Sequence, residues 1–470
     1  MRPHHRIGMV VFASALVLSA CATSPVATRP ASEEEGTLLV YLQPFPPEAG
    51  RIRFTLERVS AVREDGTETA LPLALTEFRG ADPRRQRLVA SGPVAAGEYA
   101  GLSVLVKRAS LRREDGDASL LVPDVPVRID LSFKAVRKKS LVLSLAFNYD
   151  ASIGKGFLFS PVFSAVIPDR PVLGATGYVT NFASDTITIF DKKTMQVAGT
   201  IATGHGPRMA AIDQVRSRAY VVVSADDAVE VVDMAQGDII SRVRLSTGDD
   251  PRELALTPDG TVLMTANFGS NTASIIDPIS LVELARIAVG QGPGSVLIDR
   301  SGRRAYVFNT LSSSITVIDV QNRSKIATIS TEPEPLRGDF NRKGDRLTII
   351  FARSPYIVVL DTVSLTAVRR EFVGAGVSTV KIDPRTDFLI LGKDREATIA
   401  VYDPFSYTPA DVIPVGGGAA HLGIDGDENN LYVAVPERKA VRVVSLVSRR
   451  IIGEIEVSDS PSWVVVMGER

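Results

Sequence analysis

Short segments in which apolar and polar residues alternate recur along the second part of the chain. Alternation with many β-branched residues is the pattern of a half-buried strand. Seven such segments occupy equivalent positions in consecutive units of about 42 residues, and six of them end in Asp. The segments are TITIFD (186–191), AVEVVD (228–233), TASIID (272–277), SITVID (314–319), YIVVLD (356–361), TIAVYD (398–403) and AVRVVS (440–445).

Each unit holds other strands around this segment. A strand such as YVTN (178–181) precedes it, a Gly-x-x-Pro turn such as GHGP (204–207) follows it, and an inner strand comes after the turn. Four-stranded units of about 40–45 residues that stack radially are typical of a β-propeller. The first unit lacks an inner strand, whereas the chain ends with a surplus one, SWVVVM (462–467). We therefore predict that the last strand completes the first unit and that seven blades result.

The string YVTN at 178–181, together with the TITIFD strand and the GHGP turn, resembles the repeat of the YVTN family of β-propellers. That family includes surface-layer and periplasmic repeat proteins. The resemblance covers roughly residues 175–467 of the propeller domain that we predict over residues 171–470, and it implies a binding or scaffold role more than any particular reaction. The fifth and sixth units depart from the motif, with TIIF (348–351) and ILGK (390–393) in place of YVTN.

The preceding segment, residues 37–170, shows no repeat but holds seven or eight alternating runs, such as TLLVYL (37–42). These runs predict a smaller β-sandwich. PVAAGEY (93–99) is predicted to form a turn between two strands. The runs RIRFTLERVSAVREDG (51–66) and VAAGEYAGLSVLV (94–106) resemble an uncharacterised prealbumin-like domain of bacterial lipoproteins. The fold class predicted for the whole chain is all-β.

The first residues have the features of a targeting segment. Two arginines precede an apolar stretch at residues 7–20 that is too short to span a bilayer. It ends in LSAC (18–21), which resembles the lipobox of bacterial lipoproteins. We therefore expect residues 1–20 to be a signal peptide, Cys21 to carry acyl chains and residues 21–36 to form a tether. Ala22 rather than Asp follows the cysteine, which favours the outer membrane, facing the periplasm or the cell surface, as the location in the cell envelope.

Composition narrows the choice of partners. The chain has 53 Lys and Arg against 54 Asp and Glu, so no excess of positive charge is available for nucleic acid. Cys21 is the only cysteine, which leaves no thiol for a disulfide, a Cys-ligated metal or an attached haem once it is acylated. We predict membrane attachment through the acyl chains and an envelope protein or polysaccharide as partner. No cofactor is predicted, and Ca²⁺ is the one metal left open.

The mouth of the central channel is the expected ligand site, because the Gly-x-x-Pro turns and the loops after the YVTN-like strands meet there. Arginines beside the turn prolines could bind a carboxylate or phosphate. Repeat geometry alone could also place them there, each paired with a neighbouring acid. The candidate ligand-binding residues are Arg208, Arg252, Arg337, His205, His421, Asp249, Glu253 and Trp463, with Asn181, Asn267 and Asn309 in related loops.

Two further functions compete with the binding or scaffold role. A lactonase-like or lyase-like propeller enzyme would hold a divalent metal in the channel, for which Glu253, Asp249 and His421 could contribute. A redox or quinone-dependent propeller is disfavoured by the single Trp and the missing haem ligands. No catalytic residue is assigned. The Asp residues that end the repeated segments recur too regularly to form a site, and we predict that they accept turn amides.

Overall fold

The computed structural model describes residues 34–82, 85–114, 116–154, 157–427 and 429–468. The predicted signal peptide, Cys21 and most of the tether lie outside the described residues. The predicted all-β class is confirmed, since strands dominate and the described part holds one short α-helix, α1 (Tyr149–Ser152). No helix among the described residues is both long and apolar enough to cross a membrane. Single 3₁₀ turns occupy Pro47–Arg51, Leu173–Ala175, Phe182–Ser184, Ser224–Asp226 and Pro436–Arg438.

Two sheets form the N-terminal part. One has the strand order β10-β9-β1-β5, with β1 parallel to β9. The other has the order β3-β2-β6-β7, with β4 added to β2 and β8 added to β6. Both sheets contribute to one apolar cluster, with Leu38 and Val40 from one sheet and Phe54 and Tyr99 from the other. The strands are β1 (Glu35–Leu42), β2 (Ile52–Arg63), β3 (Glu68–Leu71), β4 (Glu77–Arg79), β5 (Arg87–Ala95), β6 (Gly97–Arg113), β7 (Gly116–Leu120), β8 (Val127–Ala135), β9 (Ser140–Asn148) and β10 (Val162–Val166).

The turn predicted at residues 93–99 is shorter than expected. β5 continues to Ala95 and β6 already begins at Gly97. Pro93 lies opposite Thr37 in the pairing with β1, at the edge of its sheet, where a residue without an N–H group is tolerated. Gly97 has a φ of 147°, a conformation that favours glycine, and the chain bends from one sheet to the other with only Ala96 between the two strands.

Seven four-stranded antiparallel sheets make up the part described between residues 176 and 466. We number them in chain order: sheet 1 has the order β38-β11-β12-β13, and sheets 2 to 7 each take four consecutive strands from β14 to β37. Their strands are β11 (Thr176–Asn181), β12 (Thr186–Asp191), β13 (Gln196–Ala202), β14 (Pro207–Asp213), β15 (Arg218–Val223), β16 (Ala228–Asp233), β17 (Asp238–Arg244), β18 (Pro251–Leu256), β19 (Leu263–Asn267), β20 (Thr272–Ile276), β21 (Glu283–Ala288), β22 (Pro293–Ile298), β23 (Arg304–Asn309), β24 (Ser314–Asp319), β25 (Ser324–Ser330), β26 (Pro335–Phe340), β27 (Arg346–Phe351), β28 (Tyr356–Asp361), β29 (Ala367–Phe372), β30 (Val377–Ile382), β31 (Leu389–Lys393), β32 (Thr398–Tyr402), β33 (Pro409–Pro414), β34 (His421–Asp425), β35 (Asn430–Val435), β36 (Ala440–Ser445), β37 (Arg450–Glu456) and β38 (Pro461–Val466).

The inner strands β38, β14, β18, β22, β26, β30 and β34 contact one another in a closed cycle. Apolar clusters fill the space between each pair of neighbouring sheets, for example Ile187 of sheet 1 with Val221 of sheet 2. The predicted pairing of the last strand with the first unit is confirmed, since β38 runs antiparallel to β11 with Val464 opposite Val179. The first and last segments of this region therefore share one sheet.

The repeated aspartates hold turns, as predicted. In each, a carboxylate oxygen accepts hydrogen bonds from backbone N–H groups two or three residues further on, so the short side chain replaces a backbone acceptor in the turn. Asp403, for example, accepts from the N–H groups of Phe405 and Ser406 at 2.9 Å each. The others are Asp191, Asp233, Asp277, Asp319 and Asp361.

The N-terminal sheet of β1, β5, β9 and β10 packs on sheets 1 and 7. Tyr41 of β1 joins an apolar cluster with Phe190 of sheet 1 and Tyr432 of sheet 7. Two polar contacts flank that cluster: the Val197 N–H donates to Gln86 Oε1 at 2.8 Å, and Arg87 Nε lies 2.8 Å from a carboxylate oxygen of Glu456. This contact covers the outer edge of the sheet that contains the chain closure.

Candidate functional site

The inner strands place one residue each at the same level of the central channel, which is the space that these strands enclose. Every one of these residues pairs with the penultimate residue of the neighbouring strand, as Glu253 does with Ala266. We call this set the channel layer. All of its members except Thr379 line the channel cavities. The channel layer consists of Met209, Glu253, Ser295, Arg337, Thr379, His421 and Trp463.

Two cavities meet at this layer. The mouth cavity has a volume of about 480 Å³, and the lower cavity, which extends along the inner strands, has a volume of about 620 Å³. Met209, Glu253, Arg337 and Trp463 line both cavities and therefore lie between them. The structure thus brings five of the predicted site residues to the mouth cavity: Arg208, Arg252, Arg337, Glu253 and Trp463.

Arg208 and Arg252 occupy the rim, one residue after the turn prolines of sheets 2 and 3. The Arg208 guanidinium lies 4.7 Å from the centre of the Phe182 ring, and its Nε donates to Ser224 Oγ at 3.0 Å. No carboxylate forms an ion pair with Arg208 within the described part of the chain. Burial and the neighbouring Arg252 lower the pKa of Arg208. The carboxylate of Asp250 acts in the opposite direction on the pKa of Arg208, but Asp250 forms its ion pair with Arg252.

Arg252 is held more firmly. Its guanidinium lies 3.8 Å from the centre of the Phe268 ring, and its Nη2 lies 2.9 Å from Asp250 Oδ2. Stacking on an aromatic ring fixes the plane of a guanidinium group and leaves its edge free for hydrogen bonds. Both rim arginines are thus oriented by a ring from the loop after a YVTN-like strand.

Arg337 lies deeper, in the channel layer. Its Nη2 is 2.7 Å from Glu253 Oε1, and its guanidinium lies 5.2 Å from the centre of the Trp463 ring. Its Nε and Nη1 atoms are buried and have no hydrogen-bond partner among the described residues. Burial raises the pKa of Glu253, although Arg337, Ser295 and the backbone N–H of Val296 each act to lower it.

His421 supports Trp463. The two rings stack with centroids 3.4 Å apart and an angle of 22° between their planes. Burial, with the positive charges of Arg337 and Lys381, lowers the pKa of His421 well below 6.5. The imidazole is therefore neutral near pH 7. Its Nδ1 accepts a long hydrogen bond of 3.4 Å from the Val464 N–H, which assigns the ring proton to Nε2.

The two remaining candidates lie outside the lining of either cavity. His205 is exposed and pairs with Asp226 at 2.9 Å, a hydrogen bond that raises the pKa of the imidazole. Asp249 is buried with its two oxygens on Nη1 and Nη2 of Arg286, at 2.7 and 2.9 Å. Burial alone would raise the pKa of Asp249, but the hydrogen bonds from Arg286 and from the backbone of Ser246 lower it.

The repeated asparagines also have a structural position. Asn267 is fully buried and donates to the hydroxyls of Thr272 and Ser274, which ties the second strand of its sheet to the third. Asn181 and Asn309 make the same pair of contacts. The site residues that the sequence analysis missed are Phe182 and Phe268. An Asn-Phe pair at the same position of two units was the available signal.

The three residues considered for a metal do not converge. Asp249 is occupied by Arg286 and Glu253 by Arg337, whereas His421 stacks on Trp463. No group of three or more His, Cys, Asp or Glu side chains in the described part of the chain could hold a metal ion.

Comparison with known proteins gives a likeness in fold alone. No protein family and no curated protein matches the sequence. Hydrazine synthase from Kuenenia stuttgartiensis is similar in structure with a TM-score of 0.51 and 18% identity, over 56% of this chain and 90% of that chain. A functionally unknown protein from Desulfotomaculum acetoxidans is also similar in structure, with a TM-score of 0.53 and 12% identity, over 62% of this chain and 98% of that chain.

The dihydro-heme d1 dehydrogenase NirN in complex with DHE is a third similar structure, with a TM-score of 0.50 and 14% identity, over 64% of this chain and 78% of that chain. Hydrazine synthase and NirN are β-propeller-like proteins. The four-stranded sheets of the present chain are consistent with the same kind of fold.

Proposed function

We propose that this protein is a binding protein of the cell envelope, anchored by lipid on Cys21, whose channel mouth captures an anionic group of a protein or polysaccharide partner. In this proposal sheets 1 to 7 are the blades of a seven-bladed YVTN-like propeller over residues 171–470. The two N-terminal sheets form a β-sandwich over residues 37–170. The closed cycle of inner strands and the apolar cluster between the two N-terminal sheets support these assignments.

One observation carries the binding proposal: three guanidinium groups line a single cavity, and two of them can form further hydrogen bonds or ion pairs. Within the described residues, Arg208 has no ion-pair partner, and two buried nitrogen atoms of Arg337, Nε and Nη1, have no acceptor. A buried donor without a partner costs about 1–3 kcal/mol. An oxyanion in the cavity meets the Arg208 guanidinium, and it reaches the buried donors of Arg337 once that side chain turns towards it. The rings of Phe182, Phe268 and Trp463 keep the three arginines beside the cavity.

The metal-dependent enzyme and the redox protein receive no support of this kind from the described residues. The residues that a metal site would use are engaged in ion pairs or stacking. A binding role can use the rim arginines Arg208 and Arg252 in the positions they already occupy.

Trp463 provides the readout for a test, because it is the only tryptophan and it lines the mouth cavity. Its fluorescence should change on addition of trigalacturonate or a hexa-aspartate peptide, and should not change with maltotriose. R208A/R252A/R337A should weaken binding by several kcal/mol, since each charge-assisted hydrogen bond contributes about 1.5–3 kcal/mol.

The matched control for charge is R128A/R137A/R395A. It removes three exposed arginines outside the cavity lining and should bind like the parent. Equal binding of maltotriose and trigalacturonate, or an unchanged affinity in the site variant, would contradict the proposal.

The lipid anchor is tested separately. Cys21→Ser should move the protein from the membrane fraction to the supernatant, because a protein without acyl chains lacks the proposed attachment. Recovery of the variant from membranes to the same extent as the parent would rule the anchor out.

A further inference from the structure

The ion pair between Glu253 and Arg337 crosses the channel. Glu253 belongs to β18 and Arg337 to β26, with β22 between them in the cycle of inner strands. Both side chains line the mouth cavity and the lower cavity, so the pair lies at the level where the two cavities meet. Its 2.7 Å contact is formed by side chains that are only 8% and 24% exposed.

Arg337 makes this contact with only one of its three nitrogen atoms. Nη2 faces Glu253, whereas Nε and Nη1 are buried without an acceptor among the described residues. The Trp463 ring keeps the guanidinium in place from the side. A guanidinium group can hold a carboxylate or phosphate through two parallel N–H groups. A ligand that binds Arg337 through Nη2 can therefore do so only after Glu253 has moved away from that atom.

We propose that Glu253 is an internal competitor that occupies Arg337 until the oxyanion of an incoming ligand, a carboxylate or a phosphate, takes its place. This inference rests on the proposed function, since it concerns the same cavity, and it names Glu253 as the residue that sets ligand affinity. In the exchange one ion pair breaks and another forms on the same guanidinium. The displaced Glu253 carboxylate remains buried and takes up a proton from solvent.

Proton uptake follows from the surroundings of Glu253. Burial already raises its pKa, and Arg337 is the charged group that acts most strongly against that rise. When a ligand neutralises Arg337, the pKa of Glu253 rises further. Because the bound state then holds the proton more tightly than the free state, affinity should increase as pH falls.

Other charged groups near the channel layer do not supply this pH dependence. His421 has a pKa well below 6.5 and stays neutral. Asp339 lies on β26 two residues after Arg337 and is buried, and Lys381 is the charged group that most lowers its pKa. Glu334 lines the mouth cavity but forms an ion pair with Arg353. The rim arginines Arg208 and Arg252 keep their charge over the range of interest. Glu253 is the carboxyl that loses its partner on binding.

The experiment measures the dissociation constant of glucuronate from Trp463 fluorescence at about pH 8 and about pH 5.5, for the parent and Glu253→Gln. Glucuronate remains ionised at both values. The parent should bind more tightly at the lower pH, by up to about tenfold per pH unit. Glu253→Gln should bind at least about tenfold more tightly than the parent at the higher pH, with little change between the two. Glucose 6-phosphate is the phosphate ligand and is compared with glucuronate at about pH 8 alone, because its second ionisation lies near about pH 6. Glucose is the uncharged control.

Asp339→Asn is the matched control, because it neutralises another buried carboxylate of the channel outside the mouth cavity, and it should behave like the parent. Melting temperatures report whether each variant folds. If the parent binds an oxyanion and Glu253→Gln does not tighten that binding, the internal competitor is overturned and the proposed function stands. If no variant binds any oxyanion at either pH, the proposed function fails as well.

Discussion

Lys192 and Asp425 form a buried ion pair that joins sheet 1 to sheet 7 across 233 residues of sequence, with Nζ 2.6 Å from Oδ2. The same ammonium group donates to the carbonyl oxygen of Met467 at 2.7 Å, directly after β38. Lys192 follows β12 and Asp425 ends β34. One side chain therefore fastens three segments at the place where the cycle of sheets closes.

Lys192→Met should lower the free energy of unfolding by about 3–5 kcal/mol, because it breaks a buried ion pair by removing one of its two members. Denaturant unfolding followed by circular dichroism gives this value. Lys139→Met is the control: Lys139 forms an exposed ion pair with Asp238, and the loss of such a pair changes stability by less than about 1 kcal/mol. Equal effects of the two substitutions would show that the buried ion pair stabilises the protein no more than the exposed ion pair does.

Removal of residues 462–470 should destabilise the protein severely. The truncation deletes nearly all of β38, which pairs with β11 and contacts the neighbouring inner strands β14 and β34. It removes Val464 and Val466, which are fully buried. The burial of each side chain contributes about 1.5–3 kcal/mol to the free energy of unfolding. It also exposes the edge of β11, which favours aggregation.

Thermal melting and size-exclusion chromatography measure both effects. A chain that ends at Gly468 retains β38 and should melt like the parent. An unchanged melting temperature in the longer truncation would mean that β38 does not close the cycle.

Much of the second part of the fold was predictable because its period repeats. The alternating segments fixed the strand positions, and the unequal ends of the array predicted that β38 pairs with β11. The N-terminal part was less predictable. β3 and β4 are too short to show alternation, and the continuation of β5 through Pro93 depends on an edge position that only the sheet order reveals.

The site was predictable in part. Arg208 and Arg252 follow turn prolines, so the repeat alone placed them at the mouth. The pairing of Arg337 with Glu253 joins strands that are not neighbours, and no local pattern reports a contact across the channel. His205 and Asp249 each precede a turn proline by two residues, and ion pairs with Asp226 and Arg286 hold them away from the cavities.

The turn aspartates should make the protein sensitive to acid. Hydrogen bonds from backbone N–H groups lower the pKa of Asp277 and Asp403 below the ordinary 3.8. The stability that they contribute is present above that value and is lost as pH falls through the lower folded values. D277N/D403N should therefore melt below the parent at about pH 5, with the difference shrinking towards about pH 3.

Asp130→Asn, at a carboxylate that is 91% exposed, is the control and should follow the parent at every pH. A difference between the parent and D277N/D403N that stays constant with pH would show that ionisation of the turn aspartates is not involved.

As pH falls, His421 and His205 should change the free energy of unfolding in opposite directions. His421 is buried and its pKa is well below 6.5, so below about pH 6.5 the unfolded chain binds a proton that the folded protein does not. The hydrogen bond to Asp226 raises the pKa of His205, so its contribution is present below about pH 6.5 and is lost as pH rises through the folded value. The exposed position of His205 keeps its contribution small.

The parent should therefore lose up to about 1.4 kcal/mol of unfolding free energy per pH unit through His421 as pH falls from about 6.5 to about 5.5. His421→Phe keeps a flat ring against Trp463 but cannot take up a proton, so its unfolding free energy should fall less steeply over the same interval. His205→Asn removes a group whose contribution changes above about pH 6.5, so this variant should lack the small gain in stability that His205 gives the parent between about pH 7.5 and 6.5. Urea unfolding at about pH 7.5, 6.5 and 5.5 measures all three slopes. Parallel curves for the parent and His421→Phe would mean that His421 accepts a proton in the folded protein, and the channel layer would then carry a positive charge that its burial disfavours.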